Sequence, residues 1–363
     1  FVVPYTDVVH DRAVLELFRG CSQGCRFCQA GYIYRPVRER TVPRLKELAR
    51  SIIDSTGFEE LSLSSLSSSD YTGIVELLEE LEQEFGGKYV KMTLPSLRAN
   101  AFALRLADRV SQSGGVTFAP EAGSQRLRNV INKRITEEEI LEAAAQAVAS
   151  GRRHIKLYFM IGLPTETDQD LEELIFLVKK IVDFCQTAGS RKHAFKVTVS
   201  ASTFVPKAHT PFQWEPQIPL AEIKRRQDFL RQQFRKIKRV DFTWHEAEMS
   251  FLEAVFARGD RRLAAVLERA YALGCRLDAW SDSFNFALWE KAFAAEGIEP
   301  EKYAHYRPGL KERLPWEHID TGLSGEFLRH EYQKALRGEI THDCRERGCV
   351  GCGLQDCPIR QVT

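Results

Sequence analysis

The sequence predicts an α/β protein: a partial (β/α)6 barrel, a mainly helical C-terminal extension and a small Cys-rich module at the end. Three observations predict it. Short apolar runs alternate with amphipathic segments from residue 13 to about 215, that alternation then gives way to helical segments, and four cysteines crowd into the tail. The corresponding division is a barrel over residues 1–215, an extension over 216–340 and a metal-binding module over 341–363.

The elements follow in order. AVLELF (13–18) reads as the first strand and residues 42–57 as its helix; residues 60–66 and 70–86 repeat the pair. Residues 89–97 and 101–114 form the third unit, and 115–123 with 136–151 the fourth, where Thr136 and Glu139 fit a capping box. Residues 154–164 lead to a helix at 168–189, and 194–206 closes the series with a sixth strand. Six units are fewer than the eight of a closed barrel, so the barrel is open or partial. In such folds chemistry gathers at the C-terminal ends of the strands. The loop after the first strand therefore draws attention, and it holds Cys21, Cys25 and Cys28. Beyond residue 220 comes a basic helix at 221–239, then the strand-like VDFTWHE and several helical segments.

Bulk properties narrow the field. The chain has 363 residues, 44% of them hydrophobic and 28% charged, with a net charge of +1. That balance argues against a protein coated by polyanion over its whole surface, though not against one basic face. No apolar run is long enough for a membrane span. The chain starts at Phe1 without a signal pattern, which reads as a fragment of something longer. Seven of the nine cysteines fall into two tight groups, a distribution that suits metal ligation in a reducing cytoplasm better than a disulfide framework. The isolated Cys185 and Cys275 read as small buried hydrophobes.

Three local thiols leave a 4Fe–4S cluster one ligand short, which separates a catalytic cluster from a fully ligated electron carrier. The pattern Cys21-x3-Cys25-x-Phe27-Cys28, set after strand one, resembles the signature of the radical S-adenosylmethionine (SAM) superfamily. The resemblance implies that SAM chelates the open iron and that one electron splits its sulfonium into methionine and a 5′-deoxyadenosyl radical. It also implies a reductant such as flavodoxin or ferredoxin. Residues 119–136 (APEAGSQRLRNVINKRIT) are similar to the fourth-strand segment of methylthiotransferase-like members. That similarity assigns Glu121 to the SAM ribose and Lys133 to its methionine carboxylate. Residues 158–170 resemble the fifth strand and turn, which assigns Ile161 and Gly162 to the adenine. The usual Gly-Gly-Glu of the second strand is replaced by LSLSSLSSSDY (61–71), where Ser64 and Ser65 would contact the SAM amino group. Stretches along the whole chain resemble an uncharacterised bacterial subgroup normally preceded by a cobalamin-binding-like domain. Cobalamin would then act only through an upstream domain absent from these residues.

The second group, Cys344-x4-Cys349-x2-Cys352-x4-Cys357, offers four thiolates, enough to close a site. A second 4Fe–4S cluster and a structural zinc both satisfy it. Arg35, Arg38 and Arg40 follow the first cysteine loop, and Lys207, His209 and Trp214 follow the sixth strand. The expected activity is reductive SAM cleavage, used to modify RNA or a ribosomal component. Alternatives are cobalamin-assisted methylation or rearrangement of a small metabolite, and a non-catalytic iron–sulfur module for RNA binding or electron transfer.

Overall fold

A computed structural model describes residues 1–87, 89–95, 115–188 and 195–358. The helix expected over 101–114 lies outside the described residues. Parallel strands make two sheets. β1 (Ala13–Glu16), β4 (Glu60–Ser64) and β5 (Lys91–Thr93) stand in that order in one. The other runs β6 (Val116–Glu121), β7 (His154–Ile161), β8 (Lys196–Thr203) and β9 (Val240–Trp244). β7 and β8 stay in register from His154 opposite Lys196 to Ile161 opposite Thr203. Helices return the chain between neighbours, as parallel pairing demands. This is the α/β partial barrel that the alternation predicts.

Local sequence explains the elements. The helix Val42–Thr56 has Pro43 in its first turn, where a missing N–H costs nothing, and ends on Gly57 in the left-handed region. Val42, Leu45, Ala49 and Ile52 line its buried face, against Leu15, Leu61 and Leu63 of the first sheet. The helix Glu137–Ala149 starts with the expected capping box between Thr136 and Glu139. It packs Ile140, Ala143 and Ala147 toward Leu157, Val178 and Val199 in the larger core. Cys185 and Cys275 are buried, as read.

The sheet runs one strand further than the alternation suggests. The basic segment forms a helix over Leu220–Phe234, which crosses back so that β9 pairs in parallel with β8. The sheet therefore crosses the boundary expected near residue 215. Further on, the helices Ala247–Arg258, Leu263–Ala272 and Phe286–Ala295 share a core built on Phe251, Val255, Val266 and Trp289. The helix Gly325–Leu336 then comes back to the N-terminal cysteine loop, with Phe327 and Tyr332 in one cluster with Tyr32 and Ile131. Among the described residues, no helix is long and apolar enough to cross a membrane.

Candidate functional site

The first cysteine loop is pinched at its base. Short antiparallel strands β2 (Phe18–Arg19) and β3 (Arg38–Glu39) bring its two ends together. Gly20 leaves β2 with φ +91, and a Cβ there would meet the carbonyl oxygens of Tyr34 at 2.6 Å and Pro36 at 2.7 Å. Only glycine fits.

Inside the loop, Arg26 is fully buried between Cys25 and Phe27. Its guanidinium donates to Glu331 (3.2 Å) and to the carbonyls of Asn129 (3.1 Å), Val130 (3.0 Å) and Glu339 (2.8 Å). Asn132 adds hydrogen bonds from its Nδ2 to the carbonyls of Gly24 (3.1 Å) and Gln23 (3.3 Å).

The loop so held lays Cys21, Cys25 and Cys28 along one cleft of about 280 Å³, with Phe27, Glu121 and Lys133 in its walls. No fourth thiol is among the described residues that line it. Burial pushes the Cys21 thiol up to about 12, and the sulfurs of Cys25 and Cys28 push the same way. Three thiolates this close repel one another, and the positive charge of an iron–sulfur core would offset that repulsion. The donor set fits a cluster with one iron left open.

Glu121 sits where the register between β6 and β7 shifts, with φ +67, a conformation unusual for a side-chain-bearing residue. Its carboxylate is 3.3 Å from the Lys133 ammonium. Burial raises the Glu121 carboxyl, and Lys133 opposes that rise. The two residues are thus together in the cysteine cleft.

The remaining expected positions fall elsewhere. Ser64 ends β4, and its carbonyl takes a hydrogen bond from the Leu17 N–H at 2.9 Å. The Ser65 hydroxyl lies 3.0 Å from that of Ser68 and accepts from the Ser67 N–H at 3.2 Å. Leu66 and Ser67 line the cleft instead. The same serine run carried the signal, two residues later than its expected position. Ile161 is buried, with its carbonyl accepting from the Phe204 N–H at 2.8 Å. Gly162, at φ +80, donates its N–H to Glu166 at 2.5 Å, and a Cβ there would come within 2.9 Å of Ile218. Both lie at the C-terminal end of β7, outside the residues lining the cysteine cleft.

The tail folds back onto the first loop. Asp343, almost wholly buried, accepts from the Ser22 hydroxyl at 2.9 Å and from Gln23 at 3.4 Å. Arg134 lies 3.7 Å from the same carboxylate. The Thr341 N–H donates to Asn132 at 2.9 Å, and Arg345 reaches Glu39 and the Asp70 carbonyl, each at 3.1 Å. Cys352 and Cys357 are buried, Cys344 is half-buried and Cys349 is exposed. Burial pushes the Cys344 thiol up to about 11; Arg35 opposes that, while Cys357 and Cys352 reinforce it. Among the described residues no three His, Cys, Asp or Glu side chains are gathered around one point for a single ion.

The four cations of the helix Leu220–Phe234 are matched by acids. Arg225 pairs with Asp168 and Glu222, Arg226 with Glu166 and Glu222, Lys224 with Glu248 and Arg231 with Asp228. Lys207 pairs with Glu253, and Arg40 reaches Glu16 at 3.6 Å. Arg38 turns back to the Pro36 carbonyl at 3.1 Å. His209 and Trp214 line a second cleft, of about 300 Å³, beside Trp316.

A partial β/α barrel with three thiols at the exit of its first strand is an arrangement that would leave one iron of a bound 4Fe–4S cluster open. Residues 15–178 match the model of the radical SAM superfamily, and the chain carries a domain of that superfamily. It is 36% identical over 255 residues to an uncharacterised protein of Methanocaldococcus jannaschii, covering 70% of this chain and 54% of the relative. It is 25% identical over 244 residues to the tRNA-2-methylthio-N(6)-dimethylallyladenosine synthase of Ehrlichia canis, covering 64% and 53%. Among solved structures, Streptococcus suis SuiB bound to S-adenosylmethionine aligns over 67% of this chain and 52% of its own, with 14% identity and a TM-score of 0.41. The chain spans about half the length of the curated relatives it matches.

Proposed function

We propose that the chain cleaves SAM reductively at a 4Fe–4S cluster held by Cys21, Cys25 and Cys28, and directs the resulting radical to RNA or a ribosomal component. The observation that carries this is the set of three thiols, with no fourth among the described lining residues, in the cleft that also holds Glu121 and Lys133. The cluster, when bound, supplies a site for the amino-acid end of SAM and one electron, delivered by flavodoxin or ferredoxin, to its sulfonium.

The protein's own part is to bind and orient. Lys133 offers a cation for the methionine carboxylate, and Glu121 an acceptor for the ribose hydroxyls. Their mutual ion pair keeps both half-buried side chains ready in the cleft wall until the ligand competes for them. Phe27 contributes an apolar surface that limits water around the sulfurs. The tail cysteines are read as ligands of a second metal centre, a 4Fe–4S cluster or zinc. Similarity to a tRNA methylthio synthase supports RNA as the substrate class.

The test is anaerobic incubation of the iron-loaded, dithionite-reduced protein with SAM, followed by chromatography for 5′-deoxyadenosine and methionine. Both are expected in equal amounts, and changing any one of Cys21, Cys25 or Cys28 to Ala should reduce them at least a hundredfold. Absence of 5′-deoxyadenosine from a protein with a full iron complement would overturn the reading.

A further inference from the structure

One buried guanidinium closes the segment that carries Glu121 and Lys133. Arg128 is 0% exposed and lies in the short helix Gln125–Val130, between those two residues in the chain. Its Nη1 donates to the carbonyls of Ala122 at 3.1 Å and Gly123 at 2.7 Å, the two residues directly after Glu121. Its Nε donates to the Ile135 carbonyl at 3.1 Å, just beyond Lys133, and its Nη2 to Oε1 of Gln125 at 3.0 Å. Its own backbone carbonyl accepts the Lys133 N–H at 2.8 Å. All four side-chain acceptors are carbonyl or amide oxygens, with no carboxylate among them. An apolar side chain would fill the same space without desolvating a charge. What the guanidinium adds is a rigid fork that fixes several acceptors at once.

Glu121 shows what needs fixing. Its φ of +67 is costly for a residue with a side chain, and such a conformation persists only where its surroundings over-determine it. The chain just beyond it is pressed onto the helix Asp168–Ala188. A Cβ on Gly123 would lie 2.2 Å from the Leu174 Cα, and the Ser124 hydroxyl donates to Asp170 at 2.5 Å. Those contacts set the Glu121 end of the segment against the barrel. Arg128 sets it against the Lys133 end.

We propose that Arg128 is a positioning residue for SAM: by holding the backbone on both sides of the segment, it sets the Glu121 carboxylate opposite the Lys133 ammonium. The proposal rests on the reading of that pair as the SAM-binding wall of the cysteine cleft. Arg128 itself is closed off from the cleft lining and touches no ligand there.

The experiment uses the full chain, iron-loaded and kept oxidised under anaerobic conditions, so that SAM binds without being split. The Kd for SAM is measured by equilibrium dialysis, beside iron per chain and melting temperature. Arg128→Met should raise the Kd at least tenfold with iron per chain unchanged. Arg128→Lys keeps the charge but offers a point donor instead of a fork, and should raise it at least threefold. In a chain already carrying Glu121→Gln and Lys133→Met, adding Arg128→Met should change the Kd less than threefold, because the pair it positions is gone.

A merely structural Arg128 would lower the melting temperature and leave the Kd of the folded chain as it was; a folded Arg128→Met with the parent's Kd therefore overturns the proposal. A tenfold loss that persists in the Glu121→Gln, Lys133→Met chain also overturns it, since Arg128 would then act by another route. Should Arg128→Met fail to fold, Arg128→Lys decides, and an unchanged Kd there overturns the proposal equally. An iron-loaded parent that binds no SAM removes the reading of the cleft itself, and the role of Arg128 with it.

Discussion

At the scale of single residues, Arg26 decides how the first cysteine loop stands. Its side chain and that of Glu331 are 0% and 2% exposed, a pair closed off from water. Glu331 is held in turn by the Thr341 hydroxyl at 2.7 Å. Removing one member of a buried pair leaves an uncompensated charge, which costs about 3–5 kcal/mol, whereas replacing both by apolar groups of similar volume is often nearly neutral. Glu331→Ala is therefore expected to lower unfolding stability by about that amount, read from the denaturant midpoint. Arg26→Met combined with Glu331→Leu should lower it by less than Glu331→Ala alone. A double variant as unstable as the sum of the two single changes would show that the backbone bonds of Arg26, not the ion pair, dominate. Nothing local announces Arg26. It occupies a free position of the cysteine pattern, and its acid lies 305 residues further along the chain. Glu121 and Lys133 were singled out because the residues around them resemble a known segment, and the structure brings the two together in the cysteine cleft.

Single elements differ in how openly the sequence declares them. Helices such as Glu137–Ala149 show a buried stripe and a capping box, both of which are local patterns. β9 shows itself as a strand but not as a member of the barrel sheet. Its residues alternate between half-buried and exposed, as expected of a strand at the sheet's edge, so VDFTWHE lacks the apolar run that marks β7 and β8. The helix before it is misleading in the opposite direction, since its cations suggest a basic face while the structure sets acids from three other segments against them. Asp168 and Glu166 come from the turn and helix after β7, and Glu248 from the helix after β9. A cation already paired contributes little to phosphate binding. Changing Lys224 and Arg225 together to Ala should thus leave the salt slope of tRNA retention within about one unit of the parent. A fall of about two, one for each lost phosphate contact, would put this helix in an RNA interface.

At the scale of the whole molecule, the chain closes on itself where its chemistry is concentrated. The barrel was legible because each strand and helix carries its own period. The path of the tail was not, because its attachments join residues 209 to 321 positions apart and leave no periodic trace. Asp343 meets Ser22 and Gln23, Thr341 meets Asn132, and Arg345 meets Glu39. Every one of these first-loop or cleft partners lies close in sequence to a cysteine, to Lys133 or to β3. The tail is therefore a clasp on the cleft as well as a bearer of thiols. Ending the chain after residue 340 removes the clasp but leaves Arg26 and Glu331 in place. The barrel should remain folded, with little change in its far-ultraviolet circular dichroism. The loop between β2 and β3, which holds Phe27, Tyr32 and Tyr34, should then be cut by chymotrypsin at least tenfold faster, because its Ser22 and Gln23 lose Asp343. Iron bound by Cys21, Cys25 and Cys28 should be lost to a chelator correspondingly faster. Asp343→Asn keeps the tail but removes one charge, and is expected to give a smaller change in the same direction. Equal cleavage rates in the full and shortened chains would mean that the loop is held from the barrel side alone, by Arg26, Asn132 and the β2–β3 pinch.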